Sequence, residues 1–183
     1  QTPERALRCA LVGMPGAGKS TVGRQLAQRM GVPFVDLDHH LEKQLGCSIR
    51  QCFEAESEER FRTLESEALA DIVQRPGGMV LSTGGGAVLR PENRDCLRRF
   101  GAVMYLRASP DDIFRRIRHD KTRPLLQVAQ PLERLRELYA QRDPLYRQTA
   151  HYVIETGRPS VGTLVNMIVM QLDLAGLTPQ AAP

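Results

Sequence analysis

Gly13-Met14-Pro15-Gly16-Ala17-Gly18-Lys19-Ser20-Thr21 follows the apolar run Cys9-Ala10-Leu11-Val12 and leads into an amphipathic segment that ends at Met30. A strand, a glycine-rich loop and a helix in that order carry the phosphate-binding pattern G-x-x-x-x-G-K-[ST]. Gly13, Gly16 and Gly18 remove side chains, so backbone N–H groups can curl around phosphate oxygens. The helix that follows points its positive end at the same anion. Gly16, Ala17, Gly18, Lys19, Ser20 and Thr21 are therefore the expected contacts of a nucleoside triphosphate. Lys19 would bridge the β- and γ-phosphates, and the Ser20 hydroxyl would take one position on Mg²⁺.

Outward from this loop, apolar strand-like runs alternate with helical ones. Strands are expected at 7–12, 33–37, 79–82, 102–106 and 151–155. Helices are expected at 18–30, 38–45, 57–74, 90–100, 132–149 and 161–174, with a short helical turn at 48–53. Ser109-Pro110-Asp111-Asp112 opens a further helix with a cap, a proline at the first position and acids in the first turn. That helix dissolves near His119. Such alternation is the pattern of an α/β domain with a parallel sheet covered on both faces, and ligands of such sheets collect beyond the carboxyl ends of the strands. One domain over 1–183 is expected, and the tail over 175–183 is expected to be disordered.

Composition narrows the class. With 42% hydrophobic and 25% charged residues the chain can build a core, which excludes a disordered protein. The net charge of +4 is not gathered into a long basic run, so a nucleic-acid partner is not implied and an anionic substrate accounts for it equally well. Cys9, Cys47, Cys52 and Cys96 form no C-x-x-C pair, and the four histidines lack ligand-like spacing to them; reduced thiols in a cytosol are expected, not a zinc site. No apolar run approaches the ~20 residues of a membrane span.

Further polar features carry the chemistry. Asp36 and Asp38 close the second strand, where alternation would send both to one side of the sheet. One would hold Mg²⁺ through water, and the other would accept a proton from a hydroxyl or orient it. A helix cap is the plainer role for Asp38, and the two roles are compatible. Arg62 and Glu65, three apart on one helix, can interact. Three consecutive glycines, Gly84-Gly85-Gly86, point to backbone laid directly against a ligand. The basic stretch from Arg115 to Arg123 reads as a lid, about 118–131, that would close over phosphates and exclude water. Arg142 could join Arg62 in a planar fork for a carboxylate, though spacing alone does not bring the two together.

These separated motifs, in order, resemble the shikimate kinase family: Gly13 to Thr21, Asp36-Leu37-Asp38, Phe61-Arg62-Thr63-Leu64-Glu65, Gly84-Gly85-Gly86-Ala87-Val88, Thr122-Arg123-Pro124-Leu125-Leu126 and Arg142-Asp143-Pro144-Leu145-Tyr146. The resemblance runs from Leu7 to Leu172. It implies a three-layer P-loop kinase fold with five parallel strands in the order 2-3-1-4-5, and transfer of phosphate from ATP to the 3-hydroxyl of shikimate with Mg²⁺. It also implies an acceptor-binding region over 36–65, in which Asp38, Arg62, Gly84, Gly85, Gly86 and Arg142 hold shikimate. Lys19, Asp38 and Arg123 are then the catalytic set, with Asp38 the base and Arg123 the lid cation. Asp36 would order Mg²⁺ through water, Glu65 would support Arg62, and Arg116 and Arg158 would flank the adenine. A cytoplasmic monomer, without nucleic-acid or membrane partners, is implied in the same way. Two other readings share the triphosphate site: a P-loop kinase of another hydroxy acid such as gluconate, and a non-catalytic ligand sensor.

Overall fold

Five parallel strands in the order β2-β3-β1-β4-β5 form the centre of the molecule. The computed structural model describes residues 6–119 and 128–178. β1 (Arg8–Val12) is the middle strand, with Cys9 opposite Val80 of β3 (Met79–Ser82) on one side and Ala102 of β4 (Ala102–Arg107) on the other. β2 (Phe34–Asp36) and β5 (Tyr152–Glu155) are the edges.

Both faces of the three inner strands are apolar, as a parallel sheet covered by helices requires. Alternate residues divide between two cores. Ala10, Val12, Met79, Leu81, Val103 and Tyr105 point to one side, where they meet Leu41 of α2 (Leu37–Leu45), Leu69 of α4 (Glu58–Val73), Leu97 of α5 (Pro91–Phe100) and Tyr146 of α7 (Pro131–Thr149). Cys9, Leu11, Val80, Met104 and Leu106 point to the other, against Leu26 of α1 (Lys19–Met30) and Ile168 of α8 (Val161–Leu174). The result is the expected three-layer α/β arrangement with the expected strand order.

Most element ends fall where local chemistry places them. Ser48 and Gln51 form a reciprocal capping box at the start of α3 (Ile49–Ala55), and Ser57, Ser109 and Ser160 cap α4, α6 (Pro110–Ile117) and α8. Two expectations change. α2 begins at Leu37, not Asp38, because Asp36 takes the cap position and its side chain accepts from the His39 N–H. Ala175 to Leu177 do not begin the tail: Gly176 N–H donates to Asp173 and Leu177 N–H to Leu172, closing α8 with a left-handed glycine. Residues 179–183 of the expected tail lie outside the described residues. So do residues 120–127 of the expected lid, Arg123 among them. No helix among the described residues is long and apolar enough to cross a membrane.

Candidate active site

The carboxyl ends of β1, β3 and β2 bring three loops together. The register sets Leu11 beside Ser82 and Ser82 beside Asp36, so the glycine-rich loop, the triple glycine and Asp36 emerge on one edge of the sheet.

The loop after β1 is built from backbone. Gly18 caps α1 in the left-handed region, at φ 97°, and, lacking a side chain, makes no side-chain cap hydrogen bond. The positive end of the helix dipole is thus turned toward the loop, where an anion is favoured. Lys19 is buried, and its Nζ donates to the carbonyls of Gly13 (2.5 Å) and Met14 (3.1 Å), which arches the side chain back over the loop. Ser20 Oγ donates to Asp36 Oδ2 at 2.7 Å, and Asp36 Oδ1 accepts from His39 N–H at 3.2 Å. Arg116 of α6 clasps the loop from the far side, donating to the carbonyls of Ala17 (3.3 Å) and Thr156 (2.6 Å). Arg158 is exposed two residues beyond Thr156.

The neighbouring cavity wall is built from side chains. Arg62 Nη1 donates to Glu65 Oε1 at 2.9 Å within α4, and Glu65 is buried. Arg142 reaches the same place from α7. The triple glycine is what lets them approach: a Cβ on Gly84 would stand 2.6 Å from Asp38 Oδ1 and 3.2 Å from Glu65 Oε2, and one on Gly85 would stand 3.2 Å from Arg142 Nη1. A Cβ on Gly86 would collide with the Arg62 guanidinium outright. Arg62 and Arg142, which sequence spacing left unconnected, thus converge on adjacent glycines. Gly85 also abuts Pro15, where its added Cβ would lie 2.6 Å from the ring, so the two halves of the site touch.

Asp36 and Asp38 meet here by a different route from strand alternation. The strand stops at Asp36, and Asp38 lies in the first turn of α2, where it faces Gly84 and Glu65. Burial first, then the charges of Glu65, Asp36 and Glu42, push the Asp38 carboxyl up to about 6 against the opposing pull of Lys19. Burial likewise raises Glu65, against the attraction of Arg62, Arg142 and Arg90. Glu65 Oε2 and the Nε atoms of Arg62 and Arg142 are buried without a hydrogen-bond partner. Buried polar atoms left unpaired are costly, about 1–3 kcal/mol each, and more when charged.

Tyr146 also belongs to this wall, although sequence reading assigned it no role beyond its motif. Its hydroxyl donates to the Gly85 carbonyl at 2.6 Å. The signal that could have found it is general: a buried tyrosine needs a partner for its O–H.

With this geometry in hand, the comparisons are specific. The family model described as shikimate kinase matches residues 15–173. A shikimate kinase of Paracidovorax citrulli is 56% identical over 171 residues, covering 92% of this chain and 93% of the relative. Among solved structures, a shikimate kinase from Acinetobacter baumannii in complex with shikimate superposes with a TM-score of 0.88 at 44% identity, covering 94% of this chain and 96% of the other. A gluconokinase from Sinorhizobium meliloti reaches only 0.58 at 18% identity, with 94% of each chain covered, which is a likeness of fold alone.

Proposed function

The chain belongs to the shikimate kinase family and is an ATP-dependent kinase of shikimate, serving aromatic amino-acid biosynthesis; from that premise we propose how its own residues divide the reaction. Gly16 to Thr21 cradle the triphosphate, Arg116 and Arg158 flank the adenine, and Arg62, Arg142 and the Gly84-Gly85-Gly86 backbone hold shikimate by its carboxylate and ring. The observation that carries this reading is the convergence of two guanidinium groups on the triple glycine, beside Pro15 of the phosphate loop. Two planar cations at one spot match a carboxylate. The unpaired Nε atoms supply further donors for it.

Asp38 accepts the proton of the 3-hydroxyl as that oxygen attacks the γ-phosphate. A carboxyl raised to about 6 is a stronger base than an ordinary one and is still ionised at neutral pH. Lys19 holds the β- and γ-phosphates, and Arg123 of the lid meets the transferred group. The Ser20 hydroxyl and the Asp36 carboxylate, 2.7 Å apart, are hard oxygen donors that fit Mg²⁺, with Asp36 acting through water. Bound there, Mg²⁺ would neutralise phosphate charge. A cytoplasmic monomer without nucleic-acid or membrane partners is proposed on the family resemblance.

A coupled ADP-release assay with shikimate and gluconate in parallel tests the acceptor. Turnover confined to shikimate is expected; faster turnover of gluconate would overturn the assignment. Tight ligand binding without ATP consumption would favour a sensor instead.

A further inference from the structure

The loop that carries the triple glycine is fastened from two sides. Within it, Ala87 N–H donates to the Gly84 carbonyl and Leu89 N–H to the Gly86 carbonyl, both at 3.1 Å. α5 holds the turn that follows. Buried Asn93 donates through Nδ2 to the Ala87 carbonyl at 2.9 Å, and Arg94 through Nη1 to the Val88 carbonyl at 2.8 Å. These bonds are local, so they fix the shape of the loop but not its register against α4. Arg90 spans that gap. Pro91 keeps its backbone extended between the turn and α5, at φ −94° and ψ 131°. Its Nη2 donates to the Glu59 carbonyl and to Thr63 Oγ1, both on α4 and both at 3.1 Å. A guanidinium only donates, whereas a hydroxyl gives one proton and keeps two lone pairs. Thr63 therefore accepts from Arg90 while giving its own proton to the Glu59 carbonyl, also at 3.1 Å. The closed set of bonds brackets Arg62, which lies three residues after Glu59 and one before Thr63.

That bracket matters because Gly86 has no room to spare. The Arg62 guanidinium lies where a side chain on Gly86 would begin, so a small slide of α4 changes how the cation meets the loop. Arg90 crosses the same gap four residues beyond Gly86. We propose that Arg90 and Thr63 form a latch that sets the register of α4 against the triple glycine, which makes both positioning residues for the acceptor carboxylate. The inference rests on the reading of Arg62 as a carboxylate contact. Glu65 holds the Arg62 guanidinium within its own helix, and the latch holds that helix against the loop.

Steady-state kinetics separates this role from one in stability alone. Arg90→Ala should raise KM for shikimate about fivefold, with kcat and KM for ATP within about twofold of the parent. Thr63→Val keeps the Arg90 charge and removes only the hydroxyl that receives it, and should raise the same KM about threefold. Thr63→Ser keeps that hydroxyl and should leave KM at the parent value. Because the two residues act as one latch, Arg90→Ala combined with Thr63→Val should raise KM about fivefold, not the roughly fifteenfold of independent sites. Arg98→Ala is the control: it removes a similar arginine clasp, to the Gln148 and Thr149 carbonyls, near the other end of α5. It should lower Tm and leave KM for shikimate unchanged. If Arg62→Ala leaves KM for shikimate unchanged, the carboxylate reading fails, and the latch fails with it. If Arg62→Ala raises that KM while Arg90→Ala or Thr63→Val does not, only the positioning role is overturned. The same holds if Thr63→Ser behaves like Thr63→Val, if the double variant is additive, or if Arg98→Ala raises KM as much as Arg90→Ala.

Discussion

The donor and acceptor halves of the site touch at Pro15 and Gly85 yet are made of different material. The donor half is built around backbone: a left-handed glycine, a helix N-terminus and a lysine whose ammonium is already bonded to loop carbonyls. The acceptor half is side chains drawn from α2, α4 and α7, with three charged-group atoms buried and unpaired. The difference teaches what each half has to recognise. A triphosphate presents the same oxygens to every kinase, and backbone amides meet them at little cost in side-chain ordering. One particular acid requires cations fixed in a plane, which only packed side chains with mutual hydrogen bonds provide.

The sharpest way to break this comparison is at Asp38, the carboxyl that faces both halves. Asp38→Asn should lower kcat by about 10²–10⁴-fold, measured by ADP release. In the parent, kcat/KM should fall as pH drops through about 6, because the carboxylate that accepts the proton is lost there. Stability runs the opposite way. The folded pKa lies above the unfolded value of about 3.9, so the folded state binds this proton more tightly and loses stability as pH rises between the two values. Asp38→Asn should therefore raise Tm at neutral pH, corresponding to about 1–2 kcal/mol. A lower Tm would mean that Asp38 is not strained in the fold.

Lys19→Ala should lower kcat by about 10²–10³-fold, the scale for removing a preorganised charge partner of the reacting group. Near-normal turnover would dissolve the donor half as described. Glu65→Ala strips the acceptor half of its one buried anion in α4 and leaves Arg62 without its closest partner. A loss of about 3 kcal/mol in unfolding free energy is expected, with a raised KM for shikimate and an unchanged KM for ATP. Equal changes in the two KM values would erase the separation between the halves. The smallest effect belongs to Arg116→Ala, which frees the carbonyls of Ala17 and Thr156. It should raise KM for ATP about threefold, without moving KM for shikimate, as befits a hydrogen-bonded clasp worth about 0.5–1.5 kcal/mol.

How much of this was legible in the chain differs between the halves in the same way. The phosphate loop of the donor half is contiguous in sequence, so nine residues from Gly13 to Thr21 display it, whereas Asp36 and Arg116 join it from elsewhere in the chain. The acceptor half is scattered from Asp38 to Tyr146, and its members were visible only as separate motifs. Arg62 and Arg142 could be named but not joined, because no local rule relates residues on two helices. The reading of Asp36 and Asp38 as strand neighbours failed because a capping carboxylate ends a strand as readily as it continues one. Tyr146 was visible as the end of a motif, yet the bond from its hydroxyl to the Gly85 carbonyl exists only once α7 packs on the loop after β3.

The order of apolar runs and glycines along the chain was enough to settle a covered parallel sheet and a phosphate loop, since both follow from short-range periodicity and from where a backbone can bend. Which charges would face one another, how far burial would lift Asp38 and Glu65, and which polar atoms would be left unpaired were decided only by tertiary packing. Those quantities depend on distance and solvent exclusion between elements remote in sequence, and neither is written in any one segment.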